Sequence, residues 1–479
     1  MLKRRIYKGL SAATLALAVG ACKTPQLTQK TENRTVPASY TGSTQDSTNT
    51  TGKVQWKQFF TDPNLVALID TALRNNQELN ITLQEIQIAR NEVQVRKGEY
   101  LPFIGLGARA DADRPGRYTL QGATEEQVAI KPDKPNPDPL TNYQVGAFAT
   151  WEVDIWHKLR NSRKAAANRY LASVEGKNFM VTNLIAEIAT SYYELLALDN
   201  QLAIVKQNIA IQSNALEAVR LQKEAARTTE LAVRRFEAQV HNTQSLQYNV
   251  QQRIVETENR LNFLVGRYPR AIVRDDASFN SFVPATIQAG VPAQLLLNRP
   301  DIRQAEQNLA ASKLDVQVAR ANFYPSLRIT GSAGFGAFKP GLLFSSPESM
   351  LFSLGGDLVA PLVNRNGINA VYSSANARQI QTAYQYEQTI LKAYVEVANQ
   401  LANLSNLDKS YGEKARAVEA LNQSVTISNS LFRSARADYT EVLLTQREAL
   451  ESKFDLTETK LQQLTAMVNV YRALGGGWQ

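Results

Sequence analysis

Histidine and cysteine, which often hold metals or act as nucleophiles, are scarce in this sequence. The 479 residues include two histidines, His157 and His241, and one cysteine, Cys22. The two histidines lie far apart, and no Cys or His cluster has the spacing of metal ligands. A glycine-rich motif for binding phosphate groups is also missing. The sequence therefore predicts a protein that is not an enzyme and that needs no metal and no cofactor.

The single cysteine follows a segment that is typical of secreted proteins. Basic residues precede an apolar run from Gly9 to Ala21, and this run is shorter than the roughly 20 residues that a helix needs to cross a bilayer. We therefore expect residues 1–21 to be a signal peptide. The sequence Val19-Gly20-Ala21-Cys22 resembles the bacterial lipobox, so we expect Cys22 to carry diacylglycerol and an N-acyl chain. The alternative is an ordinary signal peptide followed by an incidental cysteine.

Charge and hydropathy exclude two classes of protein. The formal net charge is +9 and the mean hydropathy is -0.30. Part of the positive charge lies in the predicted signal peptide, and the other Lys and Arg residues are interspersed with Asp and Glu, as on solvated helices. Binding of nucleic acid is therefore not expected. The hydropathy is that of a water-soluble protein rather than of a helical bundle in lipid.

The segment after the cysteine differs in composition from the rest of the chain. Residues 22–53 are rich in Thr, Ser, Gln and Asn. Such a segment contains too little apolar surface to form a core. We therefore predict a flexible, lipidated tether over residues 22–53.

An internal repeat divides the remaining chain. When Pro102 is placed on Pro325, residues 72–108 align with 295–331 without a gap, and the sequence Val-Gln-Val occurs in both at 93–95 and 316–318. Self-similarity of this kind indicates duplication of a structural unit. We predict two repeats, residues 54–290 and 291–479.

Each repeat is predicted to contain a helix, two strands and long helices. A helix ends before Pro102 and before Pro325, since proline disfavours helix in the residue preceding it. Alternating, glycine-containing segments predict two strands in each repeat. Apolar residues at heptad spacing then predict long paired helices. The predicted strands are 103–112, 143–156, 326–337 and 351–363, and the long helices are 159–266 and 366–473.

Four strands in one chain are too few for a membrane barrel. Open sheet edges are not tolerated in lipid, and barrels that span a membrane have about eight strands or more. Two copies would supply eight strands and three would supply twelve. Because small barrels are filled by side chains, a water-filled duct favours three or more copies. The sequence predicts an α+β membrane protein that shares its barrel with copies of itself.

Three blocks of sequence resemble a known family. The first is LLLNRPDIRQAE at 295–306, which continues to the tyrosine and proline at 324–325. The second is YRALGGGW at 471–478, and the third is WEVDIW at 151–156. These blocks are similar to those of TolC-type outer membrane factors, the outer-membrane lipoproteins of efflux systems.

The resemblance implies an architecture and a set of partners. It implies a homotrimer with a twelve-stranded outer-membrane β-barrel, of which each chain forms one third, and a long α-helical barrel in the periplasm. It also implies a periplasmic adaptor protein, an inner-membrane pump of the resistance-nodulation-division class, and contact with outer-membrane lipid. The chain would then be a passive exit duct anchored in the outer membrane by lipid. Two alternatives are a lipid-anchored periplasmic coiled-coil scaffold without a channel and the exit duct of a type I secretion system.

Some residues in these blocks are expected to have structural roles. Pro300 suits the first turn of a helix, where its missing N–H costs nothing, and Asp301 suits the positive end of the helix dipole. Residues Gly475 to Gly477 would end the last long helix, since glycine accepts left-handed geometry.

The turns between the long helices hold the candidate functional residues. In related channels this turn contains a glycine, where this chain has Ala226 and Ala435. Glu441 matches an acid that rings the closed entrance in the family. We hypothesise that Glu441, with Asp438, lines such a ring and that Arg433 or Arg436 pairs across it. The alternative is that these acids are solvated residues at a helix start.

Overall fold

The computed structural model describes residues 24–40, 49–131, 134–275, 279, 287–434 and 436–478. The predicted signal peptide, Cys22 and Ala435 lie outside the described residues. The chain forms two compact units, and each draws on both sequence repeats. The first unit comprises Met1–Thr31, Gln87–Leu171 and Gln307–Tyr384, and the second comprises Glu32–Ile86, Ala172–Glu306 and Gln385–Gln479.

The described residues form ten helices and six strands, apart from short 3-10 turns. The helices are α1 (Trp56–Phe59), α2 (Pro63–Asn75), α3 (Gln77–Tyr100), α4 (Leu120–Gln127), α5 (Lys158–Glu224), α6 (Glu230–Leu264), α7 (Leu295–Asn298), α8 (Pro300–Ala321), α9 (Asn366–Arg433) and α10 (Tyr439–Ala473). The strands are β1 (Phe103–Asp113), β2 (Ala129–Lys131), β3 (Lys134–Pro135), β4 (Leu140–Val153), β5 (Ser326–Ala337) and β6 (Met350–Val359). None of the described helices is apolar over a stretch long enough to cross a membrane.

The first unit contains an antiparallel sheet of four strands in the order β1-β4-β5-β6. Strand β4 was predicted at 143–156 but begins at Leu140 and ends at Val153. It ends there because Asp154 accepts hydrogen bonds from the N–H groups of Leu159 and Arg160, both at 2.9 Å, and so caps the start of α5. Strand β6 ends at Val359, short of the predicted residue 363.

The long loop between β1 and β4 has structure that the sequence did not predict. Helix α4 begins after Thr119, whose side chain accepts a hydrogen bond from the Gly122 N–H at 3.2 Å. Strands β2 and β3 form a separate two-stranded sheet in the same loop. The loop is rich in proline and charge, and these short elements satisfy part of its backbone hydrogen bonding locally.

The long helices follow the sheet in each repeat. Helix α5 has 67 residues and α9 has 68, so each is on the order of 100 Å long at about 1.5 Å per residue. Each turns back into a helix of 35 residues, α6 or α10. In the second unit, α2, α5, α6 and α10 bury a core that includes Ile69, Tyr192 and Leu464.

The RPD and GGGW blocks come together in the second unit. Pro300 begins α8, and Gly475, with a φ of 86°, follows α10, so both expected structural roles are confirmed. A side chain at Gly475 would place a Cβ 2.6 Å from the carbonyl oxygen of Asn298. The Trp478 indole N–H donates to that same oxygen at 3.1 Å. The two blocks therefore join the start of α8 to the end of α10.

Arg299 is the buried centre of this junction. Its side chain is 5% exposed, and its guanidinium contacts the Asp301 carboxylate at 2.7 Å and the Glu396 carboxylate at 2.9 Å. It also donates to the carbonyl oxygen of Ala473 at 2.9 Å. Burial alone lowers the pKa of Arg299, but the hydrogen bond that it donates to Asp301 and the charges of both acids raise the pKa above its usual value.

The prediction of a flexible tether is wrong for residues 24–40, which form neither helix nor strand but contact helix α9 within each unit. In the first unit, the Gln379 side-chain amide accepts from the Lys30 N–H at 3.2 Å and donates to the Lys30 carbonyl at 2.7 Å. In the second unit, Tyr40 is 2% exposed and its ring stacks on Tyr394 at 5.6 Å between centroids. Polar side chains of the helix, such as Gln379, thus satisfy backbone groups of this segment.

Candidate functional site

The turn between α5 and α6 contains a residue in the left-handed region. Ala226 has a φ of 54° and its N–H donates to the carbonyl of Lys223 at 2.9 Å. The next N–H, that of Arg227, donates to the carbonyl of Gln222 at 2.8 Å. This pair of bonds is typical of a helix that ends at a residue with positive φ, where glycine is the usual choice. Alanine therefore stands in a strained position, where the related channels have glycine.

The turn between α9 and α10 has the same hydrogen-bond spacing. The N–H of Arg436 donates to the carbonyl of Leu431 at 2.9 Å. The Asp438 carboxylate then accepts from the N–H and the hydroxyl of Thr440, both at 3.1 Å, and so caps α10. Thr229 has the corresponding capping role for α6. The duplication thus extends to the two turns.

The first turn carries a network of ion pairs. The Glu230 carboxylate contacts the Lys223 ammonium and lies 2.8 Å from the Arg234 guanidinium. Arg234 also contacts Glu237 at 2.8 Å. The hydrogen bond from Lys223 and the charges of both cations lower the pKa of Glu230. These groups are exposed, so the pairs position side chains rather than stabilise the fold strongly.

The second turn holds the four predicted entrance residues without such pairs. Arg433, Arg436, Asp438 and Glu441 are all exposed. Within the described residues, no oppositely charged group lies within 4.0 Å of any of the four. Asp438 has a structural role as the cap of α10, which the sequence comparison did not assign to it. Glu441 lies in the first turn of α10, and it has no oppositely charged partner among the described residues.

An apolar cluster connects the two turns within the second unit. Phe236 of α6 is fully buried, and Val233 and Val442 are buried beside it. Leu216 and Val219 of α5 complete the contact. The helix pair of one repeat is thereby packed against that of the other, so that both turns are held by a common core.

The two faces of the sheet in the first unit differ in character. Side chains of directly paired residues share a face, and successive residues of a strand alternate between faces. The strand register therefore assigns to one face most of the large apolar residues, namely Ile104, Leu106, Val145, Trp151, Leu327, Ile329, Phe335, Phe352, Leu354 and Leu358. The opposite face carries the charged residues of the strands and the polar residues Gln144, Thr150, Thr330, Ser332 and Ser353, together with the apolar residues Phe103, Phe148 and Leu351.

Two tryptophans of the WEVDIW block fix the junctions between helices and strands. The Trp151 indole N–H donates to the carbonyl of Tyr100, the last residue of α3, at 3.1 Å. The Trp156 indole N–H donates to the carbonyl of Pro325, just before β5, at 2.7 Å, and its ring stacks on Tyr324 at 4.7 Å. The block was recognised in the sequence, but its role depends on partners that are distant along the chain.

No group of three or more His, Cys, Asp or Glu side chains in the described ranges is arranged to hold a metal ion.

Comparison with known proteins identifies the family. The sequence profile of the family described as outer membrane efflux protein matches residues 68–267 and 291–476. The chain is 29% identical over 427 residues to the solvent efflux pump outer membrane protein SrpC of Pseudomonas putida, covering 88% of this chain and 87% of that protein.

Further relatives agree with the profile. The chain is 28% identical over 476 residues to the pyoverdine export outer membrane protein OpmQ of Pseudomonas aeruginosa, covering 98% of this chain and 97% of that protein. The crystal structure of a membrane protein from Pseudomonas aeruginosa matches with a TM-score of 0.84 at 25% identity, over 94% of this chain and 99% of that one. The open state of the Neisseria gonorrhoeae MtrE outer membrane channel shares the fold, with a TM-score of 0.82 at 24% identity over 95% and 98%. The chain belongs to the outer membrane efflux protein family.

Proposed function

We propose that three copies of this chain close one β-barrel in the outer membrane and form the exit duct of a tripartite efflux system. The family assignment makes the chain an outer-membrane efflux channel protein. The closed barrel, the number of copies and the partner proteins belong to the proposal. Substrates would be delivered by an inner-membrane pump through a periplasmic adaptor and would pass the duct passively.

The unpaired edges of the four-stranded sheet are the observation that supports this proposal. Strands β1 and β6 are its edges, and in the described part of the chain neither edge is paired on its outer side. A sheet with one apolar face and two open edges is not stable in lipid unless its edges are closed. Pairing β6 of one copy with β1 of the next closes the sheet, and three copies give twelve strands. A barrel of that size leaves room for water, whereas one of about eight strands does not.

The partners are inferred from relatives. SrpC is described as an outer membrane protein of a solvent efflux pump. A separate inner-membrane pump and an adaptor that reaches the duct are therefore part of the proposal.

Cys22 is proposed as the lipid attachment site. It lies two residues before the described segment 24–40, which contacts helix α9 in the first unit through Lys30 and Gln379. A lipid on Cys22 would therefore be attached to a segment that is held on the protein surface rather than to a free tether. A Cys22→Ala variant is expected to lose incorporation of labelled palmitate.

Glu441 is proposed as the main acid of the periplasmic entrance. Because Arg433 and Arg436 have no acidic partner among the described residues, they are available to acids of a neighbouring copy. Asp438 adds a second negative charge at the proposed entrance, but its carboxylate is held by the hydrogen bond from the Thr440 N–H that caps α10. An acid repeated once in each copy around an axis would attract cations and make closure depend on pairing with these arginines.

The proposal is tested on full-length protein extracted from outer-membrane fractions. We expect an oligomer that migrates at the size of a trimer, dissociates on heating and produces discrete conductance steps in planar lipid bilayers. An elongated soluble dimer after Cys22→Ala, with no conductance from the wild-type protein, would instead support the coiled-coil scaffold. Co-purification of a pump and an adaptor with the oligomer tests the tripartite part separately.

A further inference from the structure

All charged residues of the four-stranded sheet lie on one face. They are Arg109, Asp111, Asp113, Glu152, Arg328 and Asp357. The register pairs Arg109 with Gln144 and Asp111 with Asn142, and it pairs Arg328 with both Glu152 and Asp357. Since paired residues share a face, the six charges fall on the face opposite Leu106, Phe352 and Leu354. No charged residue of these strands lies on the apolar face.

The charges form two groups at opposite ends of the sheet. Arg109, Asp111 and Asp113 lie where β1 leads into the long loop, and Arg109 contacts Asp111 at 3.0 Å. Glu152, Arg328 and Asp357 lie at the other end, as one row across β4, β5 and β6. Directly paired residues have Cβ atoms about 5 Å apart, so the row places one cation between two acids.

The two acids of this row differ in their surroundings. Glu152 is half-buried, and its carboxylate also lies 3.6 Å from the Lys158 ammonium. Asp357 is exposed and lies on β6, the edge strand. Within the described residues, no cation lies within 4.0 Å of the Asp357 carboxylate. Asp357 is therefore the acid of the row whose charge is least neutralised.

We propose that the charged face is a charge-selective lining and that the row Glu152, Arg328 and Asp357 is its filter for cationic solutes. This inference rests on the proposed function, in which copies of the chain close a barrel with the apolar face toward lipid. The strands contribute four acids and two arginines to the lining, which leaves a surplus of acid in every copy. Asp357 supplies the attraction for cations and Arg328 opposes it.

The filter is tested by the reversal potential of single channels under a KCl gradient. In a wide duct, water and salt screen each charge, so the effect is modest and depends on ionic strength. We expect Asp357→Asn to lower the cation-to-anion permeability ratio about twofold at low salt, and Arg328→Gln to raise it by about the same factor. Both shifts should vanish near about 1 M salt, where screening acts within roughly 3 Å.

A matched control is available outside the strands. Glu348 is an exposed acid in the loop between β5 and β6, and Glu348→Gln should leave the ratio unchanged. Opposite shifts for Asp357→Asn and Arg328→Gln support the filter, because a folding defect would not produce shifts of opposite sign. Conducting channels with the same ratio in both variants would overturn the filter and leave the duct intact. Absence of any conductance from the wild-type oligomer would instead overturn the proposed function.

Discussion

The backbone N–H of Arg227 donates to the carbonyl oxygen of Gln222 at 2.8 Å, and this bond closes the turn between α5 and α6. The bond requires the intervening Ala226 to adopt a φ of 54°. We predict that Ala226→Gly stabilises the protein by about 1 kcal/mol, because glycine adopts positive φ without steric cost. The midpoint of chemical unfolding measures the change. Ala238, exposed within α6, provides the control, and Ala238→Gly should destabilise by about 1 kcal/mol.

Arg299 is predicted to be essential for the stability of the second unit. Arg299→Met leaves the Asp301 and Glu396 carboxylates and the carbonyl of Ala473 without their buried cation. Breaking a buried ion pair on one side costs about 3–5 kcal/mol. We expect a loss of this size in the free energy of unfolding. The control is Arg416→Met, which removes an exposed pair with Glu413 and should change stability by less than about 0.5 kcal/mol.

Lys460 is predicted to destabilise the fold at neutral pH. It is 8% exposed, and burial lowers its pKa although its ammonium lies 5.2 Å from the centre of the Tyr411 ring. The charged form is therefore less favourable in the folded state than in the unfolded state. As pH rises from the lowered pKa toward 10.5, the wild-type protein should lose this penalty and gain stability.

Lys460→Met tests this penalty. The variant should unfold at a higher temperature than the wild type at pH 7, and its advantage should shrink as the pH approaches 10.5. Lys409→Met, at an exposed position of α9, should show no such advantage. An equal difference between Lys460→Met and wild type at every pH would contradict the explanation.

Glu441 is predicted to control block of the channel by multivalent cations. Glu441→Gln removes one acid from each copy at the proposed entrance, and block measured in planar bilayers should weaken about tenfold or more. Asp438→Asn is the companion variant. Because asparagine caps a helix as well as aspartate does, this variant removes the charge of residue 438 and keeps the cap of α10. Unchanged block in Glu441→Gln would show that this acid is only a solvated residue at a helix start.

The sequence predicted the sheet better than the segments around it. Pro102 and Pro325 mark where helices end, and β1 and β5 begin at the next residue in each case. The end of β4 was placed three residues too late because Asp154 acts as a cap through hydrogen bonds that hydropathy does not reveal. Segment 24–40 was misjudged because composition excludes a core of its own, whereas Gln379 supplies its hydrogen bonds from elsewhere in the chain.

The candidate site was predicted in part. The sequence identified Ala226 as standing where related channels have glycine, but only the structure shows that its φ is 54°. The cap formed by Asp438 has a sequence signal, since aspartate before the first residues of a helix is a typical start. The burial of Arg299 has no sequence signal, because only folding brings its partners Glu396 and Ala473 close to it.

Disulfide trapping between the edge strands tests the shared barrel most directly. Ala108→Cys in β1 would be combined in turn with Phe352→Cys, Leu354→Cys or Leu358→Cys in β6, all on the apolar face. After oxidation of outer-membrane fractions, we expect at least one combination to give covalent dimers and trimers and nothing larger, with each single variant uncrosslinked. Only monomers in all three combinations, or an open-ended ladder of larger species, would contradict a barrel closed by three copies.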